Sequence, residues 1–433
     1  MATLNPFRGL LFDPAVVGDI ARVVAPPYDV IDPPHQAALY ARSPHNVVRL
    51  ILNREADPYA AAAATLHEWR QSGALTRDPT RALYLYAQCF RAAAGELRER
   101  VGIIGALRLE SFDSGKVRPH ERTLERAKND RLALVRACRA SLSPIFGLVA
   151  APDWSIAALI PDRAPDLDLE ADDGARDRVW RLSDSSTLAA IAERLAPRDV
   201  FIADGHHRYE TALRYRDETR AALGAVAPPS GAAPYDYVLT YLTRMEDPGL
   251  VVLPTHRVLA SSPLAAEALG RALAAEFRVD RLPWTHAGMM RLLERLNVAD
   301  AATTVHLGAA VAGADSLWLL SAANDALPFP ASTPAVLRAL DVTALHQVVL
   351  AAILGLPIGE RGGTPGLTYT QDAAAALAAV EGRDAAAAFF VPPTSIAALR
   401  AVSVAGLTMP EKSTYFHPKL LTGLVVYPLD GGD

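Results

Sequence analysis

The sequence predicts a mixed α/β fold of the α+β type with two domains. Its 433 residues are 51% hydrophobic, which provides enough apolar surface for more than one core. Short apolar runs typical of strands alternate along the chain with longer stretches typical of helices. We expect a first domain over residues 1–254 and a second α+β domain over residues 255–433.

The first third of the chain carries one clear helix signal and three strand signals. Asp57 and Pro58 form a cap and first-turn pair before a helical stretch that Gly73 ends. Aromatic, β-branched and short apolar residues predict strands at RALYLYAQCF (81–90), RVGIIGALRLE (100–110) and SPIFGLVAA (143–151).

The middle of the chain predicts a loop and then a strand–helix–strand–helix series. Residues 163–177, RAPDLDLEADDGARD, are acidic and predict an exposed loop. The series that follows consists of strand RVWRL, a capped helix from Ser185 or Ser186 to about Leu195, strand DVFIA and a helix after Gly205.

The second half predicts an α+β domain. Strand character resumes in YDYVLTYLTRM (235–245) and GLVVLP (249–254). Beyond residue 255, alanine-rich helical stretches such as PLAAEALGRALAAEF alternate with apolar runs such as SLWLLS and AAFFVPP.

Charge and cysteine content exclude several protein classes. The balance of 43 basic and 48 acidic residues gives a net charge of −5, which argues against a nucleic-acid-binding surface. The two cysteines, Cys89 and Cys138, have the spacing of neither a disulfide framework nor a zinc site. With no signal peptide and no membrane-spanning stretch, we expect a cytoplasmic protein without membrane or nucleic-acid partners.

The stretch ADGHHR, residues 203–208, carries the strongest chemical signal. If a strand ends at Asp204 and a helix follows Gly205, the first backbone amides of that helix form an anion site suited to phosphate. Arg208 adds donors that match phosphate oxygens, and His206 or His207 can donate hydrogen bonds or move a proton. Asp204 is suited to hold Mg²⁺ next to a phosphate or to orient a histidine.

The residues alone leave a structural alternative open with similar weight. Asp204 then caps the helix, and the two histidines are ordinary surface groups. A cap, however, does not require two histidines and an arginine in succession.

Several motifs of the chain resemble those of known families. ADGHHRYETA is similar to the glycine, histidine and arginine box of the ParB/sulfiredoxin-like superfamily, and DGHHR is especially similar to its free serine kinases. The wider chain resembles a bacterial and archaeal domain-of-unknown-function family. That resemblance rests on APPYDVI (25–31), HERTLERAKNDRLAL (120–134), SPIFGL, LPTHR (253–257), LDVTALH (340–346) and MPEKSTYFHPKLLTG (409–423).

The resemblance implies a kinase-like first domain in which Gly205, His206, His207 and Arg208 cradle nucleotide phosphates. His206 stands where sulfiredoxin-like chemistry requires a cysteine, which excludes that reaction. The acidic balance and the lack of a recognition helix argue against a ParB-like role on DNA.

The stretch VRPHERTLERAKNDR supplies candidates for the other roles that a kinase needs. Glu121, next to His120, is the candidate general base, and Lys128 and Arg131 follow at roughly one-turn spacings as phosphate partners. The alternative is a charged amphipathic helix with ordinary ion pairs between neighbouring turns, and the spacing alone favours it.

Two further polar stretches are candidates for substrate contacts or a lid. Tyr28 and Asp29 follow two prolines in a rigid turn that forms either a pocket wall or a plain capped turn. The stretch 409–423 is dense in donors suited to a second phosphate or carboxylate contact, and it either folds back over the first-domain site or forms a hydrogen-bonding strap between two domains. These donors are Lys412, Ser413, Thr414, Tyr415, His417 and Lys419.

Three function classes remain. The favoured one is a nucleotide-dependent small-molecule kinase that uses Mg²⁺, takes phosphate from ATP or ADP and transfers it to a hydroxyl of a metabolite such as free serine. The second is a hydrolase with zinc or manganese among its histidines and carboxylates: His120, Glu121, Asp204, His206 and His207. The third is a nucleotide-responsive regulatory module without turnover.

Overall fold

The chain divides into two compact units that exchange short segments of sequence. The structure, a computed structural model, describes residues 3–92, 95–123, 125–298, 303–358 and 364–431. Within this part of the chain, unit 1 comprises the residues up to Pro119, Thr123–Val251 and the residues from Phe416 onward. Unit 2 comprises His120–Arg122 and Val252–Tyr415. The polar stretch 409–423 is therefore divided between the units at residue 415.

Unit 1 contains most of the strands. They are β1 (Leu4–Asn5), β2 (Leu10–Phe12), β3 (Leu75–Arg77), β4 (Leu83–Arg91), β5 (Leu97–Arg108), β6 (Val117–Arg118), β7 (Ala140–Ser141), β8 (Ile145–Val149), β9 (Leu167–Glu170), β10 (Arg176–Leu182), β11 (Val200–Asp204) and β12 (Tyr237–Arg244). Its helices are α1 (Pro14–Val17), α2 (Pro33–Arg42), α3 (Val48–Ile51), α4 (Pro58–Gln71), α5 (Glu125–Cys138), α6 (Ser185–Leu195) and α7 (His206–Leu223).

Unit 2 alternates strands and helices. In chain order its elements are β14 (His256–Leu259), α8 (Ala266–Glu276), β15 (Arg278–Pro283), α9 (His286–Val298), β16 (Thr304–Val311), β17 (Ser316–Ala323), α10 (Ala335–Arg338), α11 (Asp341–Ala344), β18 (Leu367–Thr370), α12 (Ala373–Glu381), β19 (Ala387–Phe390) and α13 (Ile396–Val404). Helix α11 continues as a π-helix over Leu345–Ile353. The remaining strands are β13 (Val251–Leu253), β20 (Tyr415–His417) and β21 (Tyr427–Pro428). Strands β13 and β20 lie at the sequence positions where the chain passes from one unit to the other, and β21 belongs to unit 1.

A large mixed sheet forms the centre of unit 1. Its strand order is β6-β11-β8-β12-β5-β4-β10-β9, with β1 added against β5. The pairs β6–β11 and β8–β12 are parallel, and the other pairs in this order are antiparallel. The apolar side chains of these strands, including those of Ile103, Ile202 and Leu242, form the core on which α6 and α7 pack. The sheet thereby fixes the carboxyl end of β11, where the ADGHHR stretch begins.

Unit 2 has its own sheet and its own core. The order β15-β17-β16-β19-β14-β18 is antiparallel throughout. One cluster packs α8 and the π-helix against this sheet around Leu307 and Phe389, and a second packs α9 and α12 around Leu292 and Phe390. The predicted α+β character of both halves is confirmed.

Several local predictions are confirmed in detail. Asp57 caps α4 by accepting a hydrogen bond from the backbone N–H of Ala60, and Pro58 occupies the first turn. Strands β4, β5 and β8 lie where the aromatic and β-branched runs predict them. Helix α6 begins at Ser185 as expected, but its cap is Asp184, whose carboxylate accepts from the N–H of Thr187.

The prediction of an exposed loop over residues 163–177 is wrong. Leu167–Glu170 forms β9, which pairs antiparallel with the start of β10. The acidic composition hides an apolar alternation, Leu167 and Leu169, on one face of an edge strand. Asp168 on the other face pairs with Arg176 across the hairpin at 2.6 Å, so the acid residues are part of the strand pairing.

Among the residues that the structure describes, no helix is long and apolar enough to cross a membrane.

Candidate functional site

The turn between β11 and α7 has the geometry that ADGHHR predicts. The buried run Val200–Ala203 ends at Asp204, and α7 begins two residues later at His206. Gly205 between them has φ +94°, and a Cβ added there would lie 3.0 Å from the Arg208 guanidinium. A glycine is needed because other residues rarely adopt this conformation and the arginine side chain packs over the turn.

Asp204 is the centre of a charged group in unit 1. Its Oδ2 accepts from Arg208 NH2 at 2.5 Å, and its Oδ1 accepts from Lys419 Nζ at 2.6 Å. The N-cap position of α7 belongs to Gly205, one residue after Asp204. Arg208 also donates to the carbonyl of Pro144. We call Asp204, Arg208 and Lys419 the α7 charge cluster.

The two histidines of the turn differ in burial. His206 is buried, and burial lowers the pKa of its imidazole to about 3, with the nearby Asp204 acting in the opposite direction. The ring is therefore neutral at physiological pH and is suited to hydrogen bonding rather than to carrying a positive charge. His207 is half-buried.

Tyr28 lies beside the α7 charge cluster. The turn Tyr28–Val30 is a short 3-10 helix, and Arg131 of α5 stacks on the Tyr28 ring at 4.1 Å. Burial raises the pKa of the Tyr28 hydroxyl, and the charge of exposed Asp29 adds to this effect. Tyr28, Arg131 and Arg208 line one pocket of unit 1 together with Ser143, Thr211 and Tyr215.

The two predicted phosphate partners on α5 already have protein partners. Lys128 Nζ contacts Glu125 Oε1 at 2.6 Å and Glu210 Oε2 of α7 at 2.9 Å. Burial lowers the pKa of Lys128, but the hydrogen bonds from its ammonium group to the two carboxylates outweigh this effect, so the pKa is raised. Arg131 donates to Asp130 and, at 2.9 Å, to the carbonyl of Ile51. The helix-pairing alternative thus describes Lys128 well, whereas Arg131 reaches the Tyr28 pocket.

The remaining predicted residues meet one another in unit 2. His120 Nε2 lies 2.9 Å from Thr414 Oγ1, and Glu121 Oε1 accepts from the backbone N–H of Lys412 at 3.2 Å. The N–H of Met409 donates to the carbonyl of His120 at 2.8 Å. These hydrogen bonds join two stretches that are almost 300 residues apart in the sequence.

Buried hydrogen bonds hold the backbone of residues 410–413 in place beside His120 and Glu121. Ser413 Oγ donates to the carbonyl of Pro410 at 2.5 Å, and its own carbonyl accepts from Thr394 at 2.7 Å. The fully buried Arg257 donates to the carbonyls of Glu411 and Lys412. Burial lowers the pKa of Arg257 to about 10. Tyr415 is half-buried in β20.

The predicted site residues therefore form two groups. Unit 1 brings together Tyr28, Asp29, Arg131 and the residues Asp204–Arg208, with Lys128 bound to the same helix α7. Unit 2 brings His120 and Glu121 together with Lys412, Ser413 and Thr414. Within the described part of the chain, no group of three or more His, Cys, Asp or Glu side chains is arranged to hold a metal ion.

The sequence does not predict the contact between Lys419 and Asp204. The two are 215 positions apart, and no local pattern joins them. A buried network holds the Lys419 segment: Arg100 donates to the carbonyls of His417 and Pro418 at 3.1 and 2.6 Å, and to Gln88. Gln88 donates to the carbonyl of Lys419 and to Asp177. The available signal was Gln88, an amide residue inside the largely apolar strand β4.

The network contains an unusual carboxyl group. Asp177 is buried, accepts from Tyr86 and Gln88, and has its pKa raised by burial to about 7. The two hydrogen bonds act against this rise, because they favour the carboxylate.

Comparison with solved structures finds weak likenesses. A conserved hypothetical protein from Pyrococcus furiosus has a TM-score of 0.34 and 12% identity, over 74% of this chain and 92% of that one. A free serine kinase in complex with AMP has a TM-score of 0.34 and 10% identity, over 73% and 86%. SbnI with a C-terminal truncation, from Staphylococcus aureus, has a TM-score of 0.35 and 13% identity, over 76% and 90%. At these values the likeness does not assign a function.

Comparison with curated proteins finds no match. A family model does match, and it covers residues 4–343, well over half of the chain. The expected membership of a domain-of-unknown-function family is confirmed: the chain belongs to the family described as Protein of unknown function (DUF1015).

Proposed function

We propose that this protein is a nucleotide-dependent small-molecule kinase that transfers phosphate from ATP or ADP to a hydroxyl of a metabolite such as free serine. The observation that carries the proposal is the α7 charge cluster. Two cations, Arg208 and Lys419, meet at Asp204 where a buried strand turns through Gly205 into the start of an 18-residue helix.

This arrangement supports phosphate binding by three physical effects. The first amides of α7 have no partners within the helix and, with the helix dipole, favour an anion at this end. Arg208 and Lys419 add charge-assisted donors for phosphate oxygens. Neutral His206 supplies a further hydrogen bond, and so does the ring of His207. The likeness of ADGHHRYETA to the ParB/sulfiredoxin-like box is part of this proposal.

The carboxylate of Asp204 fits a role in holding Mg²⁺. Mg²⁺ takes oxygen ligands and is commonly bound by one or two carboxylates together with substrate phosphates. Both oxygens of Asp204 already face cationic donors, which is the arrangement of an ionised carboxylate. When bound, the ion offsets phosphate charge. We assign Asp204 to hold it and Glu121 to accept the proton of the acceptor hydroxyl.

The decisive experiment is calorimetric titration of the full chain with ATP, ADP and AMP, with and without Mg²⁺. Arg208→Ala should weaken nucleotide binding by about 1.5–3 kcal/mol, the loss typical of a charge-assisted contact. Lys419→Ala should weaken it in the same direction. Arg136→Ala is the matched control, because Arg136 is exposed and pairs with Glu218 farther along α7. Unchanged affinity in both cluster variants would place the phosphates elsewhere.

Elemental analysis separates the kinase from the metal-dependent hydrolase. A kinase holds Mg²⁺ loosely and mainly with nucleotide, whereas a site built from histidines and carboxylates retains zinc or manganese. We expect less than a tenth of an equivalent of transition metal after dialysis, on the order of adventitious binding. About one equivalent retained would favour the hydrolase and overturn the kinase assignment.

A further inference from the structure

Unit 2 contains a large cavity that the proposed kinase chemistry does not use. Its volume is about 530 Å³, within the range of small-molecule sites. The wall comes from the end of α9, from β16, from α10 and α11, and from the start of α13. Most of the lining is apolar, including Leu296, Val336, Leu340 and Pro393.

One carboxylate is placed in this apolar wall. Asp341 begins α11, and its Oδ1 accepts from the backbone N–H of His306 at 2.6 Å. Burial raises the pKa of Asp341 to about 6, against the effect of that hydrogen bond. At neutral pH the group is largely ionised inside a mostly apolar cavity.

Asp341 lacks a cationic side-chain partner among the residues that the structure describes. Within the described part of the chain, Asp341 forms no ion pair, and the residues lining the cavity include neither lysine nor arginine. His306 also lines the cavity, and its pKa is lowered by burial and by the charge of Arg295, so its ring is neutral at pH 7. A buried carboxylate without a counter-charge is costly, and a cationic ligand would offset that cost.

We propose that this cavity is a binding site for a small, largely apolar organic amine whose ammonium group pairs with Asp341. The apolar walls would cover the hydrocarbon part of such a ligand, and Asp341 would select the cation over a neutral or anionic molecule of the same shape. The site belongs to unit 2 alone and does not depend on nucleotide.

The ligand class can be tested with three probes of one shape and three charges. Phenethylamine, phenethyl alcohol and phenylacetate are titrated into the full chain at pH 7.5 without nucleotide, and binding is followed by calorimetry. We expect the amine to bind about tenfold or more tightly than the alcohol, and phenylacetate to bind least, since a close charge pair is worth at least this much. Equal affinities, or no amine binding, would overturn the proposal.

Two variants test the location. Asp341→Asn keeps an oxygen for the His306 N–H and removes the charge, so amine affinity should fall to that of the alcohol. Ala398→Phe puts a ring into the cavity from the first turn of α13 and should abolish binding of both probes. Val404→Phe, at an exposed position on the same helix, should leave binding intact. Amine binding unchanged in Asp341→Asn or in Ala398→Phe would exclude this cavity as the site.

Discussion

Asp204 in unit 1 and Asp341 in unit 2 are the same side chain at the start of a helix, in opposite electrostatic situations. Asp204 has two cations within 2.6 Å, Arg208 and Lys419. Asp341 has a backbone N–H, an apolar cavity and, among the described residues, no ion pair. The charge around a carboxylate therefore determines its ligand preference more than the residue type does.

The difference predicts opposite ligands. In the α7 charge cluster the cations outnumber the carboxylate, so the group carries net positive charge and favours an anion such as phosphate. Around Asp341 the uncompensated charge is negative, so the cavity favours a cation. The same substitution, aspartate to asparagine, should then have opposite effects on stability at the two positions.

Asp204→Asn should destabilise the protein more than any other variant proposed. Removing one partner of a buried ion pair costs ~3–5 kcal/mol, and the partial exposure of this cluster reduces that to about 2–4 kcal/mol. We expect the local free energy of unfolding near β11 and α7 to fall by that amount in native-state hydrogen exchange. Magnesium-dependent nucleotide binding should weaken in the same variant.

Asp315→Asn is the control for this prediction. Asp315 is exposed in unit 2 and pairs with Arg281 at 3.1 Å, where solvent screens the attraction. Its substitution should change hydrogen exchange little. A loss in Asp204→Asn no greater than that in Asp315→Asn would mean that the cluster does not stabilise the turn.

Glu121→Gln should separate the rate of phosphate transfer from the affinity for nucleotide. If Glu121 is the base, the variant should lower the rate of phosphate transfer about a hundredfold, because a general base contributes on the order of 10²–10⁴. Nucleotide affinity should stay nearly unchanged, in contrast to Asp204→Asn, which should lower both. Single-turnover transfer from radiolabelled ATP measures the first quantity, and calorimetry the second.

Glu125→Gln is the matched control, since Glu125 is exposed and pairs with Lys128. A rate in Glu121→Gln as high as in this control would remove Glu121 from the base role. A loss of nucleotide affinity equal to the loss of rate would make Glu121 a binding residue instead.

The parts of the fold that sequence predicts are those decided locally. The start of α4 follows from Asp57 and Pro58, because a cap and a first-turn proline act on adjacent residues. The strand–glycine–helix turn follows from Gly205, since its left-handed backbone requires glycine. Strand β9 was not predicted, because its acidic residues conceal a two-residue alternation.

The parts that sequence does not predict depend on distant segments. Lys419 meets Asp204 because Phe416 and the residues after it return to unit 1. Fold-back of residues 409–423 is one of the two expected alternatives, but the sequence does not indicate Asp204 as the partner. The buried Gln88 interrupts a largely apolar strand, which indicates a buried hydrogen-bond partner without identifying it. Arg100 and Asp177 stand next to other charged residues in their strands, so the sequence does not indicate that they are buried. The predicted roles of His120, Glu121 and the phosphate-binding residues remain predictions that the variants above test.

Asp341→Asn should give the smallest effect and the opposite sign, with a characteristic pH dependence. Burial raises the pKa of Asp341 from 3.8 to about 6. A carboxyl whose pKa is higher in the folded state contributes stability that is fully present below about pH 4 and is lost as the pH rises through about 6. At 1.36 kcal/mol per pKa unit, the ionised group therefore costs unit 2 about 1–3 kcal/mol at pH 8.

Asparagine removes that cost, so the stability of the variant relative to wild type should rise between pH 4.5 and pH 8. Hydrogen exchange of β16 and α11 amides at the two pH values measures the gain. Asp315→Asn should show no such change between these pH values, because the hydrogen bond from Ser316 and the charge of Arg281 lower the pKa of Asp315, and a carboxyl with a lowered pKa stays ionised over this range. A stability difference between Asp341→Asn and wild type that does not change with pH would mean that Asp341 is not held as an uncompensated charge.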